Sequence, residues 1–437
     1  MSDYPEMSPT RGFAVAADAV DPLAHLKARF NLPTGPDGLP ALYFAGHSLG
    51  AQPADASVEV GRVLDEWGHL GVKGYFSGTK PWVSYADDLS ADLASLVGAS
   101  ANEVVLMNTL TVNLHLMLVS FYRPRNDRFK ILIDEHAFPS DRYAIASHAR
   151  FHGYDPREAI VEIKATGGED TVKPEYVIET ILSHGGQACL VLMSGVNYYT
   201  GQRYALSPVV RAAREVDCLV GFDLAHAVGN VPVNLNAADP DFAVWCTYKY
   251  LNGGPASPGA AFVNRRHFND EAMPRFDGWW GHDIGTRFKM PDWFEPADGA
   301  KAWQLSNSPV LSSAPLRASM KIFKEADMHR VRRKSMALTA YLEAIIATYL
   351  SHRVDLITPS DPEQRGAQLS LRILSSARDA FDALTEVGVV ADWREPDAIR
   401  VAPAPLYTSF DDVRRLAEAI GQAVGAPITW KDESPST

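Results

Sequence analysis

The chain has 437 residues, 46% of them apolar, enough to bury a substantial core and, by length, to form roughly two or three domains. Its 53 acidic against 41 basic residues leave a formal charge of −12, which argues against nucleic acid or an anionic membrane as the main partner. No apolar run approaches the ~20 residues that span a bilayer, no charged-then-apolar leader opens the chain, and three cysteines without metal-type spacing suit a reducing compartment, so a cytoplasmic protein is expected.

In chain order, residues 1–20 read as a loose arm. Ala41-Leu42-Tyr43-Phe44 reads as a short strand, followed by Gly46-His47-Ser48-Leu49-Gly50, which fits the Gly-x-Ser-x-Gly turn that carries the nucleophile of serine hydrolases. Such a turn lies within the sheet and opens a long helix, whereas this one runs into Gln52-Pro53; Ser48 therefore reads better as a loop residue near a substrate. From about residue 55 to 310, strand-like and helical runs alternate, as a mainly parallel α/β sheet requires. Asn108-Thr109-Leu110-Thr111 leads into a largely buried helix from Val112, with a threonine capping its start and the Thr111 hydroxyl as a further donor. Free amides and the positive end of the dipole suit a phosphate there, although an ordinary N-cap has the same sequence.

Two apolar strands follow, Lys130 to Asp134, leading to Phe138-Pro139-Ser140-Asp141, and Cys189 to Met193, ending on Ser194-Gly195. A third, from Leu219, places Asp223 at its end and His226 three positions on. Ligands of open α/β sheets sit outside the carboxyl ends of the strands, so these side chains are candidates to converge on one ligand. The next run, Phe242 to Trp245, ends in Cys246-Thr247-Tyr248-Lys249-Tyr250-Leu251-Asn252-Gly253-Gly254. An ammonium beside so much apolar surface is costly unless paired or deprotonated, and a desolvated lysine is what Schiff-base chemistry uses. Pyridoxal phosphate needs such a lysine and an anionic partner for its pyridine nitrogen, roles that suit Lys249 and Asp223. Singly, each has a plainer reading, a solvated lysine past a buried strand and a turn-forming aspartate.

Residues 253–259 read as a loop over that site, and about 313–350 as a long helical stretch before a smaller α+β unit. Its last helix is capped by Ser409 with Asp412 three on, shows Phe410, Val413, Ile420 and Val424 on one face, and stops at Gly425; residues 431–437 read as a frayed tail. The cysteines all lie in strand-like runs and none follows Cys246, against the pattern of a cysteine desulfurase; an aminotransferase stays open on chemistry alone. Metal, ATP and NAD have no motif here.

The segments 108–116 (NTLTVNLHL), 137–141 (AFPSD), 222–230 (FDLAHAVGN), 248–254 (YKYLNGG), 278–282 (GWWGH), 286–290 (TRFKM) and 399–403 (IRVAP) together resemble the kynureninase family, in that family's order and across nearly the whole chain from about residue 40. The resemblance implies a fold-type-I pyridoxal-phosphate enzyme with a mainly parallel seven-stranded-type sheet. Its expected divisions are an N-terminal segment (1–54) packing on the small domain, a large cofactor-binding domain (55–312) and a small C-terminal domain (313–437). The implied activity is hydrolysis of L-kynurenine, L-3-hydroxykynurenine or a ring-substituted kynurenine to an anthranilate and L-alanine. By the family pattern Lys249 binds the cofactor covalently and carries protons, Asp223 pairs with the ring nitrogen, Phe138 stacks on the ring, and Leu110 and Thr111 hold the phosphate. Asp141, Ser194, His226 and Tyr248 complete the shell, Tyr248 with a possible second role in proton transfer. Trp279 and Asn307 are expected from the neighbouring subunit of a homodimer, and Arg400 as the clamp for the substrate carboxylate. Asn307 also suits a hydrogen bond to a 3-hydroxyl. Two departures, His47 where the family commonly has asparagine and Tyr75 where it commonly has histidine, fall with Ser48 in regions expected to border the aryl group. They preserve its hydrogen bonding, reshape the pocket, or are neutral drift.

Overall fold

The computed structural model describes residues 4–431. Seven strands, β1 (Val104–Leu106), β2 (Lys130–Asp134), β3 (Ile160–Ile163), β4 (Ala188–Ser194), β5 (Leu219–Asp223), β6 (Phe242–Trp245) and β7 (Ala260–Val263), form one sheet in the order β1-β7-β6-β5-β4-β2-β3. The strands from β3 across to β6 pair in parallel, and β7 runs antiparallel to both its neighbours. Successive side chains on these strands enter two different cores. Ile131, Ile133, Leu190, Leu192, Phe242 and Val244 pack on one face, while Leu132, Val191, Met193, Ala243 and Trp245 pack on the other. A sheet covered on both faces gives strands that read as unbroken apolar runs, which is why they were visible in the sequence. Gly221 is required by closeness: a Cβ there would lie 2.0 Å from the ring of Phe242 on the adjacent strand.

The helices that brace this sheet and the smaller unit include α1 (Arg11–Val20), α2 (Leu110–Phe121), α3 (Pro139–Phe151), α4 (Val310–Ala326), α5 (Met328–Ile345) and α6 (Phe410–Ala423). Three of them differ from expectation. Residues 11–20 are no loose arm: α1 is capped by Thr10 and buries Phe13, Ala14 and Ala17. Helix α2 starts at Leu110 rather than Val112, with Thr109 in the cap position and no side-chain capping bond, so Thr111 sits inside the first turn. The long helical stretch is broken at Asp327, whose φ of 62° turns the chain and whose carboxylate accepts from His329 N at 2.7 Å to start α5. The frayed-tail expectation falls, beyond Lys431, outside the described residues.

The smaller unit is built on β8 (Val354–Leu356), β9 (Leu369–Ile373), β10 (Asp392–Arg394) and β11 (Ala398–Val401), an antiparallel sheet ordered β8-β9-β11-β10. Helix α6 has the expected capping box at Ser409 and Asp412. The N-terminal segment fastens to this unit. The Asp18 carboxylate accepts from Phe410 N (2.8 Å) and Asp411 N (3.0 Å), the free amides at the start of α6. Lys334 and Asp21 form an ion pair at 2.7 Å with side chains only 2% and 1% exposed. Leu42–Tyr43 pairs in parallel with Val389–Val390. The loop after it is thereby carried to the carboxyl ends of the large sheet.

Candidate active site

Strand ends β2, β4, β5 and β6 and the first turn of α2 surround a cavity. Leu110, Thr111, Phe138, Asp141, Ser194, Asp223, His226, Tyr248 and Lys249 all line it. Thus nine of the expected site residues, far apart in sequence, meet in one place. Lys249 leaves the end of β6 and its Nζ lies 2.8 Å from His226 Nε2 and 5.7 Å from the centroid of the Phe138 ring. Phe138 is 41% exposed at the mouth of the cavity, an open aromatic face beside an amine.

The anionic side is built by Asp223 and Asp141. Asp223 Oδ1 accepts from Ala225 N at 2.8 Å, which fixes the carboxylate at the end of β5. Asp141 enters from α3; burial first, and then the neighbouring Asp223 charge, push its carboxyl well above the ordinary range. His226 is shifted the other way, well below an ordinary imidazole, by burial and then by Lys249 and Arg400, so it is neutral beside the lysine. Burial, with lesser contributions from Cys246 and Asp223, raises the Tyr248 phenol and keeps it protonated.

At the opposite end, Thr111 Oγ1 and Ser140 Oγ are 2.7 Å apart, joining the first turns of α2 and α3. Gly259 lets its loop approach closely: a Cβ would stand 3.1 Å from Leu110 N. Two hydroxyls and a helix start make an anion site. Ser194 is locked by Asp134, donating Oγ to Oδ2 at 2.5 Å and N to Oδ1 at 2.9 Å. Asp134 and Ser140 stand in the strand-end segments expected to converge, while Asn197 and Tyr198, which also line the cavity, carry no local signal in the sequence.

Arg400 is 1% exposed on β11. Its Nη2 contacts Asp392 Oδ2 at 2.9 Å, Nη1 donates to Tyr198 O at 2.6 Å, and Nε has no partner. Ser48 donates to the same Asp392 oxygen, and His47 Nε2 is 3.9 Å from it. Neither His47 nor Ser48 lines the cavity. His47 is wholly buried behind it, and burial followed by the charges of Arg400, Lys249 and Arg394 lowers its imidazole well below the usual value. The Gly46–Gly50 segment opens no long helix and Ser48 bonds an aspartate rather than a histidine, so the serine-hydrolase reading falls. Trp279, Asn307 and Tyr75 lie elsewhere: Trp279 Nε1 donates to Arg287 O at 3.2 Å, and Asn307 Nδ2 reaches Tyr75 Oη at 3.4 Å.

An amine, a fixed carboxylate in the same cavity, an open aromatic face and a helix start suited to an anion match the four parts of pyridoxal phosphate, and the sheet is that of the fold-type-I enzymes which use it. The likeness to solved structures agrees on the fold: the cystine C-S lyase C-DES in complex with cysteine persulfide has a TM-score of 0.75 at 17% identity, over 89% of this chain and 98% of that one. The cysteine desulfurase CsdA from Escherichia coli has 0.73 at 16%, over 93% and 99%. Sequence relatives are nearer. Kynureninases of Myxococcus xanthus (strain DK1622) and Stenotrophomonas maltophilia (strain K279a) are each 49% identical, over 94% of this chain and 96% and 97% of theirs. That of Koribacter versatilis (strain Ellin345) is 48% identical over 94% and 96%. Residues 331–420 match the kynureninase C-terminal domain. The chain belongs to the kynureninase family.

Proposed function

We propose that the protein hydrolyses L-kynurenine, L-3-hydroxykynurenine or a ring-substituted kynurenine to the corresponding anthranilate and L-alanine, with pyridoxal phosphate at Lys249. The observation that carries this reading is the meeting of Lys249, His226, Asp223 and Asp141 in one cavity of a kynureninase-family chain. When bound, the cofactor supplies the electron sink that substrate carbanions need. The protein's part is to place groups around it. Lys249 Nζ is the proton carrier, and neutral His226 at 2.8 Å accepts a hydrogen bond whenever that nitrogen is an ammonium. Asp223 supplies the negative oxygen for the ring nitrogen, its charge held in place by the Ala225 amide. The first turn of α2 with Thr111 and Ser140 takes the phosphate. Arg400, with Nε free, takes the substrate carboxylate, and Tyr248 stands as a neutral acid at the cavity wall.

A homodimer with shared sites is part of the same proposal. It is supported by an exposed apolar face in which Phe76 and Phe288 (64% and 45% exposed) have ring centroids 5.4 Å apart and Trp279 and Phe288 5.5 Å. On this reading Trp279, Asn307 and Tyr75 serve the partner's cavity. Mixing inactive Lys249→Ala and Asn307→Ala proteins should restore activity. A cytoplasmic location fits three buried, unpaired cysteines, and among the described residues no helix is long and apolar enough to cross a membrane. Among the described residues, too, no group of histidine, cysteine and carboxylates is arranged to hold a metal. The deciding experiment incubates the purified protein with the three substrate types and follows aryl acid and alanine. Equimolar release is expected; formation of the substrate's own 2-oxo acid with its carbon skeleton intact, dependent on a keto-acid acceptor, would instead assign an aminotransferase.

A further inference from the structure

Behind Lys249, the loop from Gly46 to Gly50, the lysine loop and the smaller unit enclose a group of polar side chains with nitrogen and oxygen atoms that the proposed reaction leaves unused. His226 spends Nε2 on Lys249, which leaves Nδ1 buried with no protein partner. The His47 ring centroid is 6.4 Å from that of His226, and neither His47 nitrogen has a partner. Tyr250, its ring also 6.4 Å from His226, and Tyr407 both bury hydroxyls that bond nothing. The Tyr407 hydroxyl lies against Gly46, where a Cβ would come within 2.2 Å of it. These are five unpaired polar atoms on four side chains drawn from three separate parts of the chain. Buried polar atoms of this kind are met by ordered water in folded proteins.

We propose that this pocket holds ordered water linking His226 Nδ1 to His47, and that His47 is a positioning residue which governs proton exchange at Lys249 through His226. The inference rests on the reading of Lys249 as the cofactor-binding, proton-carrying amine. The relay balances without any redox partner. An N–H bond breaks at Lys249 Nζ and forms at His226 Nε2, the Nδ1–H proton passes to the water, and the water gives one of its own to a free nitrogen of His47. Reversal returns the proton. The groups that face the two imidazoles suit this. Lys249, Arg400 and Arg394 are cationic, and Asp392, 3.9 Å from His47 Nε2, is the anion alongside. Burial and those cations keep both rings neutral, and a neutral imidazole has one donor and one acceptor nitrogen, as a relay requires.

The test uses the holoenzyme and its His47→Phe, His47→Asn and Tyr407→Phe variants. A high-resolution crystal structure of the parent should show water within hydrogen-bonding distance of His226 Nδ1 and a His47 nitrogen. In the absence of substrate, the pH midpoint of the visible cofactor band should move by about one unit in His47→Phe. In the same variant kcat should fall ~10-fold or more, with KM nearly constant. Asparagine, which still offers a donor and an acceptor, should recover most of that loss, and Tyr407→Phe, which removes another hydroxyl facing the same water, should also move the band's midpoint and so supplies the reading if His47→Phe does not fold. A dry pocket, or titrations that superimpose on the parent, overturns the proposal while leaving Lys249 in place. A parent with no visible band and no alanine release removes the underlying reading as well.

Discussion

Arg400→Lys isolates the fork of the guanidinium from its charge. In the structure Arg400 satisfies two acceptors at once, Asp392 at 2.9 Å and Tyr198 O at 2.6 Å, and keeps Nε free. A lysine ammonium at the same position carries three donors on one point charge but has no planar edge to offer a carboxylate. Each charge-assisted hydrogen bond forgone is worth ~1.5–3 kcal/mol, so losing one on the substrate and weakening one within the protein gives ~2–4 kcal/mol in kcat/KM. That is a fall of roughly 30- to 1000-fold at 25 °C. Initial rates of aryl-acid release at several substrate concentrations measure it, and KM should take the larger share because the contact is made before the chemistry. An analogue lacking the α-carboxylate provides the control, on which parent and variant should differ little. Equal losses on both compounds, or a kcat/KM for the natural substrate within about threefold of the parent, would refute the assignment of Arg400 as carboxylate clamp.

Gly50→Ala should abolish most activity with little loss of thermal stability elsewhere, since a Cβ there would lie 2.3 Å from Lys249 O and 2.3 Å from Asn252 Oδ1 and displace the backbone that carries the lysine; an active variant with unchanged absorbance would contradict this. Asp21→Asn leaves Lys334 buried without its counter-charge, and chemical denaturation should show a loss of about 3–5 kcal/mol, against less than ~1 for a pair that contributes nothing. His148, 8% exposed, has its imidazole lowered to about 4 by burial, then by His115 and His152. Its unfolded form binds a proton near pH 6.5 while the folded form does not, so stability is unaffected above that pH and should fall by up to ~3 kcal/mol between pH 6.5 and 4. His148→Gln should flatten that slope in urea titrations; an identical slope would show that another group is responsible.

What was legible in the sequence follows from where the information is local. The strands of the large sheet are continuous apolar runs because both faces are covered, and the residues at their ends, Asp223, Ser194 and Lys249, inherit a common location from the rule that such sheets bind ligands at the carboxyl ends. Their gathering around one cavity needed only the parallel order. Contacts made across hundreds of residues left no local trace. Asp392 reaches Ser48, 344 residues away, only because the small sheet and the N-terminal loop pack together. His47 looked like a substrate contact and is instead enclosed behind His226. Helix α1 was missed because it buries mainly alanines, Ala14 and Ala17, with Phe13 as its single large anchor. The start of α2 was misplaced by two residues because Thr109 and Thr111 are equally plausible caps until the backbone decides between them.

The fastening of Asp18 onto the first amides of α6 spans 392 and 393 residues of chain. During synthesis α1 leaves the ribosome long before the helix it caps exists, and Tyr341 of α5, on which Phe13 packs with ring centroids 4.8 Å apart, also follows hundreds of residues later. The strand at Leu42 is in the same position, awaiting Val389. Residues 11–20 and the strand at Leu42 must therefore wait for their partners until translation is nearly finished, whereas Leu23, Leu26 and Phe30 settle earlier, on the core of the large unit.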